Sequence, residues 1–298
     1  MQYSKLGRSS LEVSKIGFGC MSLTGDSSEN QLIIDQALDL GINYFDTADL
    51  YEHGENEAKI GALLKSKRDQ VILATKVGNQ HRADGSGWDW NPSKKHILSA
   101  VEGSLKRLQT DYLDLYQLHG GTIEDPVDET IEAFEILKQQ GKIRYYGISS
   151  IRPNVIREYV QCSKMVSVMM QYSLLDRRPE EECLELLHEH NIGVLGRGSI
   201  AQGLLAGKPA APYLSYSEAE VAKAAEVIRS ITSESSSPAQ TAIRFVLQNQ
   251  ALDSAVMGIR TLAQLKDIAA AADFPPLSNW EIELLIKAVP ASYYTAHR

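Results

Sequence analysis

Short apolar runs alternate with longer stretches that carry apolar residues at helical spacing along most of the chain. Such runs predict strands over 16–19, 42–45, 71–75, 112–118, 144–148, 166–170, 192–195 and 254–257. The longer stretches predict helices over 27–40, 55–66, 126–139, 179–189, 217–231, 238–249, 262–272 and 278–288, with two more that open at Asn91-Pro92-Ser93 and after Pro153. Strands that are apolar on both faces are typical of parallel sheets covered by helices.

About eight strand–helix units in roughly 250 residues predict a (β/α)8 barrel. Residues 2–6 and 12–15 predict an N-terminal β-hairpin, and two helices exceed the number that the barrel needs. No Pro/Ser-rich linker or shift in composition divides the chain, so we expect a single domain over 1–298. An open doubly wound sheet uses the same alternation and is the alternative fold. The segment that holds Trp88 and Trp90 is predicted as a long loop.

The composition limits the classes of partner. The chain has 298 residues, of which 43% are hydrophobic, and a net charge of −8, which argues against nucleic acid or an anionic membrane as the main partner. Three widely separated cysteines without a C-x-x-C pair predict neither a disulfide framework nor a structural metal site. No apolar run approaches the roughly 20 residues that span a bilayer. We expect a cytoplasmic protein that acts on a small molecule, with a slight preference for a monomer.

Polar or small residues stand at the carboxyl ends of nearly all predicted strands. Because these ends meet at one face of a barrel, we expect the residues to lie close together, which packing alone does not explain. They are Gly19, Asp46, Lys76, His119, Ser149, Gln171, Arg197 and Gly258.

Proton-transfer chemistry is the simplest use of the titratable members of this set. A desolvated Lys76 needs a partner, and Asp46 on the preceding strand can supply it. A cation about 4 Å from a phenol favours the phenolate by roughly 4 kcal/mol at an effective dielectric near 20, which makes a better general acid. Tyr51 is the nearest tyrosine in sequence, and His119 can hold a substrate oxygen or share the proton. Taken singly, each residue also has an explanation as a cap, a surface lysine or a packing group.

Several sequence motifs together resemble those of the aldo-keto reductases over nearly the whole chain. The motifs are Phe45-Asp46-Thr47-Ala48 with Tyr51, Ala74-Thr75-Lys76, Asp111-Tyr112, Asp114-Leu115-Tyr116-Gln117-Leu118-His119, Gly147-Ile148-Ser149, Met170-Gln171-Tyr172-Ser173-Leu174-Leu175-Asp176-Arg177, Gly203-Leu204-Leu205-Ala206-Gly207-Lys208, and Gly258-Ile259-Arg260 with Gln264. The chain is most similar to the bacterial branch with general stress and inositol-cluster reductases. The resemblance implies a (β/α)8 barrel that reduces an aldehyde or ketone to an alcohol with NADPH. It implies the catalytic tetrad Asp46, Tyr51, Lys76 and His119, with Tyr51 as the proton donor.

The resemblance also implies where the cofactor and substrate bind. The implied cofactor positions are Gly19, Met21, Asp46, Ser149, Ser150, Gln171, Arg197, Gly198, Ser199, Gly203, Leu204, Lys208, Gly258, Arg260 and Gln264. A guanidinium at Arg260 suits a 2′-phosphate, which favours NADPH over NADH. We expect Trp88, Trp90 and His119 to line the substrate pocket and to favour an apolar or ring-bearing carbonyl.

The chain departs from the family pattern at five places. Ser150 stands where Asn is usual, Ile268 where Asn often contacts adenine, Gly120-Gly121 where bulkier residues follow the histidine, and Glu52-His53 where glycine often follows the tyrosine. Arg197-Gly198-Ser199 replaces a common Tyr-Ser-Pro. An arginine there can stack on the nicotinamide or bind a phosphate or an anionic substrate.

Other functions remain open at the level of the sequence. One is an NADPH-binding regulatory or redox-sensing subunit with little turnover, and another is a barrel isomerase or hydrolase without a nicotinamide. Residues 196–201 fit G-x-G-x-x-A after a strand, but Gly203 and Gly207 interrupt the helix that a Rossmann fingerprint requires. His188 and His190 lie two positions apart on a predicted helix and so do not share a face as a metal pair would.

Overall fold

Eight parallel strands close into a barrel in the computed structural model, which describes residues 1–298. The strands are β1 (Tyr3–Lys5), β2 (Glu12–Ser14), β3 (Ile16–Gly19), β4 (Tyr44–Asp46), β5 (Ile72–Val77), β6 (Asn79–His81), β7 (Trp88–Trp90), β8 (Leu113–Leu118), β9 (Ile143–Ser149), β10 (Ser167–Gln171), β11 (Gly193–Arg197) and β12 (Leu252–Gly258). The order around the barrel is β10-β11-β12-β3-β4-β5-β8-β9, which confirms the predicted (β/α)8 fold and excludes the open sheet.

Ten helices surround the barrel, and their starts follow the capping signals in the sequence. They are α1 (Ser27–Asp39), α2 (Glu55–Leu64), α3 (Lys94–Leu108), α4 (Val127–Gln139), α5 (Pro153–Cys162), α6 (Cys183–Glu189), α7 (Glu218–Ile231), α8 (Pro238–Leu247), α9 (Leu262–Ala270) and α10 (Asn279–Ala288). Ser217, Ser237 and Ser278 form capping boxes that satisfy free N–H groups at the starts of α7, α8 and α10. The two surplus helices, α7 and α10, pack against each other. None of the helices is both long and apolar enough to traverse a bilayer.

The N-terminal hairpin β1–β2 closes the amino end of the barrel. Leu6, Leu11 and Val13 of this hairpin are buried in the same apolar cluster as residues from the strands. The turn residue Gly7 has φ of +48° and lies against Gly193, the first residue of β11, and Val166, which directly precedes β10. A Cβ at Gly7 would meet the carbonyl oxygen of Val166 at 2.4 Å. With the amino end filled, the carboxyl end remains for a ligand.

The segment around Trp88 and Trp90 is an antiparallel hairpin, β6–β7, so the prediction of a loop is wrong. The Trp90 ring packs where side chains at Gly78 and Gly120 would lie, since a Cβ there would approach it to 2.6 and 3.3 Å. Its Nε1 donates a hydrogen bond of 2.8 Å to Asp125. These tertiary contacts hold the hairpin beside the carboxyl end of β8.

Candidate active site

A buried ion pair between Lys76 and Asp46 lies at the carboxyl end of the barrel. Strands β4 and β5 are neighbours, which brings these two residues together. The side chains are only 1% and 5% exposed. The Lys76 ammonium pairs with Asp46 Oδ1, donates to the Thr47 carbonyl oxygen at 2.7 Å, and donates to the Tyr51 hydroxyl at 3.4 Å. All three donors of the buried cation therefore have a partner.

The second carboxylate oxygen of Asp46 is also fixed. Gln117 Nε2 donates to it at 3.1 Å, and the Tyr44 hydroxyl donates to it at 3.3 Å. Burial alone lowers the pKa of Lys76, but the Asp46 carboxylate and Tyr51 together raise it above its ordinary value. Lys76 is consequently an ammonium throughout the neutral pH range.

Tyr51 begins a short 3-10 turn that connects β4 to α2. Glu52 and His53 in this turn both have left-handed backbone angles, with φ of 50° and 55°, and this conformation costs roughly 1–2 kcal/mol for each non-glycine residue. The Tyr51 ring centroid lies 5.1 Å from the Lys76 ammonium. The two extra polar residues after Tyr51 are thus accommodated by a strained turn that keeps the phenol beside the lysine.

His119 follows β8 and lies beside the Tyr51 ring. The two ring centroids are 5.9 Å apart, and the planes are nearly perpendicular, at 84°. Burial, followed by the charges of Lys76 and Arg197, lowers the pKa of His119 to about 3. The imidazole is therefore neutral near pH 7, so one of its nitrogens can donate a hydrogen bond to an oxygen. Its Nδ1 is buried without a protein partner.

A cleft of about 570 Å³ extends from Asp46 and Tyr51 to Arg260 and Gln264. It brings together most of the residues predicted to hold the cofactor, which are Gly19, Met21, Asp46, Gln171, Arg197, Gly198, Ser199, Gly203, Lys208, Gly258, Arg260 and Gln264.

Three predicted cofactor positions and both predicted pocket tryptophans do not line this cleft. Ser149, Ser150 and Leu204 are buried and absent from its walls. Trp88 is 48% exposed on β7, and Trp90 is directed towards Asp125. The hairpin that carries the tryptophans therefore borders the His119 side of the site.

Four polar residues on the cleft wall were missed by the sequence reasoning: Ser22, Gln202, Tyr213 and Asp267. Asp267 lies one helical turn after Gln264, and this i, i+3 spacing on α9 was an available signal. Tyr213 belongs to a segment between β11 and α7 without hydrophobic periodicity, so no pattern pointed to it.

The cleft fits an elongated anionic group such as a dinucleotide. Ser199 lines the cleft, and its Oγ is buried without any hydrogen-bond partner in the protein. A buried polar group of this kind needs a partner. The cations of Lys208 and Arg260 are exposed and form no ion pair. Gly198, with φ of +75°, leaves its backbone open, since only Gln171 would approach an added Cβ, at 3.9 Å. Open backbone and free cations are the groups that bind phosphates.

Comparison with known proteins identifies the family of this chain. The aldo/keto reductase family pattern matches residues 15–289. The uncharacterized oxidoreductase YqkF of Bacillus subtilis is 48% identical over 307 aligned residues that cover 100% of both chains. The holo form of aldo-keto reductase AKR11C1 from Bacillus halodurans is 48% identical and superposes with a TM-score of 0.94 over 100% of this chain and 99% of that one. The NADH-specific methylglyoxal reductase of Escherichia coli is 34% identical over 227 residues, 70% of each chain. The chain therefore belongs to the aldo/keto reductase family.

Proposed function

We propose that this oxidoreductase reduces an aldehyde or ketone to an alcohol with NADPH, and that Tyr51 donates the proton. The observation that carries the proposal is the contact of the Tyr51 hydroxyl with the Lys76 ammonium at 3.4 Å, beside a neutral His119. The cationic Lys76 and the neutral His119 both suit carbonyl reduction at neutral pH.

The reaction needs a hydride for the carbonyl carbon and a proton for the carbonyl oxygen. When bound, the reduced nicotinamide supplies the hydride. Tyr51 supplies the proton, and the adjacent Lys76 cation stabilises the phenolate that remains. His119, held neutral, donates an N–H to the same carbonyl oxygen and orients it. Asp46 holds Lys76 in place and offsets the cost of burying its charge.

Support for NADPH rather than NADH comes from the far end of the cleft. Arg260 lines it, has no ion-pair partner, and its backbone N–H donates to Gln264 Oε1 at 3.0 Å. A free guanidinium binds a 2′-phosphate through charge-assisted hydrogen bonds worth roughly 1.5–3 kcal/mol. The Escherichia coli relative named as NADH-specific makes this preference one that requires measurement.

The test of the proton donor is Tyr51→Phe, with Tyr213→Phe as the matched control. Both variants remove one phenolic hydroxyl from the cleft, but only Tyr51 contacts Lys76. We expect kcat for a model aldehyde to fall by about 10²–10⁴ in Tyr51→Phe, while the Kd for NADPH, read from its fluorescence, changes little. Tyr51→Phe with near wild-type turnover would refute the assigned role.

The cofactor preference is tested by Arg260→Gln. Loss of the guanidinium should raise the Kd for NADPH by about 10-fold or more and leave the Kd for NADH nearly unchanged. An equal effect on the two cofactors would show that Arg260 does not select the 2′-phosphate. Wild-type protein that binds NADPH but reduces none of a panel of aldehydes would point instead to a regulatory role.

A further inference from the structure

The charges on the cleft wall leave one arginine without an obvious role. Three cations on the wall form no ion pair, namely Arg197, Lys208 and Arg260. Lys208 and Arg260 are exposed, and water solvates them. Arg197, at the end of β11, is partly buried, and its guanidinium makes no hydrogen bond to the protein. A partly desolvated cation without a partner is unfavourable unless a ligand supplies one.

The carboxylates that line the cleft, Asp46 and Asp267, already bind other protein groups. Asp46 pairs with Lys76. Asp267 accepts hydrogen bonds from Ser237 Oγ at 3.0 Å and from Gln240 Nε2 at 2.9 Å, both at the start of α8. Neither carboxylate neutralises Arg197, so its positive charge is directed at the contents of the cleft.

Arg197 lies at the end of the cleft where the carbonyl would react. It lines the cleft together with Asp46 and Tyr51. Its charge also contributes, after burial and Lys76, to the lowered pKa of His119. The guanidinium is therefore within Coulombic range of the group that we assign to orienting the carbonyl.

We propose that Arg197 binds an anionic group on the substrate, so that the protein prefers carbonyl compounds that carry a carboxylate or phosphate. This inference rests on the proposed function. A nicotinamide ring is neutral when reduced and cationic when oxidised, so it offers no anion to this guanidinium. The exposed Lys208 and Arg260 remain for the phosphates of the cofactor. The planar fork of arginine suits two-oxygen anions through paired hydrogen bonds.

The test compares three para-substituted benzaldehydes in the wild-type protein and in variants of one residue. The substrates are 4-carboxybenzaldehyde, 4-formylphenyl phosphate and the neutral methyl 4-formylbenzoate, assayed with saturating NADPH. Arg197→Met removes the charge with little change in length, and Arg197→Lys restores the charge without the fork. Arg260→Met removes a cation from the opposite end of the same cleft and is the matched control.

We expect the ratio of kcat/KM for acid over ester to fall at least about 10-fold in Arg197→Met, mainly through the KM of the acid. Arg197→Lys should recover part of the ratio, and Arg260→Met should leave it unchanged while weakening NADPH binding. Comparison of 4-formylphenyl phosphate with 4-carboxybenzaldehyde shows whether the site prefers a phosphate or a carboxylate. Equal losses for acid and ester, or a changed Kd for NADPH with an unchanged ratio, would overturn the assignment and place Arg197 against the cofactor.

A binding measurement separates this proposal from the proposed function. Benzoate and benzamide are titrated into the NADPH-saturated protein by calorimetry, which requires no turnover. Benzoate should bind more tightly than benzamide to the wild-type protein, and this difference should disappear in Arg197→Met. If no aldehyde is reduced but the difference is present, the function is wrong and the anion site stands. If both are bound equally by the wild-type protein, the anion site is wrong.

Discussion

Removal of Lys76 should destabilise the fold more than loss of any surface lysine. The variant Lys76→Met leaves the Asp46 carboxylate buried, with only the neutral donors Gln117 and Tyr44. Removing one partner of a buried ion pair costs about 3–5 kcal/mol, because the other charge is left without compensation. We therefore expect the free energy of unfolding at pH 7 to fall by about 3–5 kcal/mol.

A double-mutant cycle isolates the pair. Asp46→Asn alone leaves a buried ammonium, whereas Asp46→Asn with Lys76→Met removes both charges. We expect the double variant to be less destabilised than the sum of the single variants by at least about 2 kcal/mol. Urea unfolding of the cofactor-free protein, followed by circular dichroism and by tryptophan fluorescence, measures all four free energies.

The control is Lys94→Met, which removes a lysine whose ion pair with Glu132 is 33% and 56% exposed. Exposed pairs contribute up to about 1 kcal/mol, so this variant should stay close to the wild-type protein. If Lys76→Met lowered the free energy of unfolding by less than about 1 kcal/mol, or if the losses in the cycle were strictly additive, the buried Lys76–Asp46 ion pair would not have the stabilising role assigned to it.

Three further predictions concern pH and the β6–β7 hairpin. Because the pKa of His119 is lowered to about 3, its ring should show no NMR titration between pH 5 and 8. Below pH 6.5 this histidine binds a proton in the unfolded state but not in the folded state, which lowers the free energy of unfolding by up to about 2 kcal/mol at pH 5. Burial raises the pKa of Asp49 to about 8. The contribution of protonated Asp49 to the free energy of unfolding is therefore fully present below about pH 4 and is lost as the pH rises through 8. Asp49→Asn should increase the free energy of unfolding in urea by at least about 1 kcal/mol at pH 8, and no increase would contradict this. Gly78→Ala adds a Cβ 2.6 Å from the Trp90 ring at a residue with φ of +123°. Thermal unfolding should show that this variant loses about 2–3 kcal/mol of stability. The control Gly87→Ala, at φ of +134° with no atom within 4 Å of the added Cβ, should lose less stability.

The barrel could be predicted because its signals are local and repeated. Each parallel strand is a short apolar run, and each helix has a cap and a periodic apolar face. The alternation of strands and helices is therefore predicted correctly even where the ends of an element are misplaced by a residue or two. Strand β5 extends to Val77 rather than ending at 75, which places Lys76 inside the strand. The ends of parallel strands converge by backbone geometry alone, and for this reason the strand pattern was enough to group Asp46, Lys76 and His119.

The features that the sequence did not reveal depend on tertiary contacts. Strand β7 is only three residues long, and its partner β6 is the polar stretch Asn79-Gln80-His81, so neither has a strand pattern. The hairpin is held by Trp90 over glycines that lie far apart in the chain. Likewise, spacing gives the position of Leu204 along the backbone but does not show that its side chain is buried and does not line the cleft.

The placement of Tyr51 depends on the helix that follows it as much as on the strand that precedes it. Asn56, in the first turn of α2, accepts a hydrogen bond from Thr47 Oγ1 at 2.7 Å and donates one to the Cys20 carbonyl oxygen at 3.1 Å. Glu57, also buried, accepts from Thr75 Oγ1 at 2.5 Å.

These bonds join α2 to β5 and to the residues that directly follow β3 and β4. The bond to the Glu57 carboxylate contributes roughly 1.5–3 kcal/mol, and each bond of the neutral Asn56 amide roughly 0.5–1.5 kcal/mol. Together they are comparable with the cost of the two left-handed residues after Tyr51, which is roughly 1–2 kcal/mol for each residue. The helix can therefore hold the strained turn in place, and the position of the phenol beside Lys76 is set by the polar residues of α2 that lie behind it.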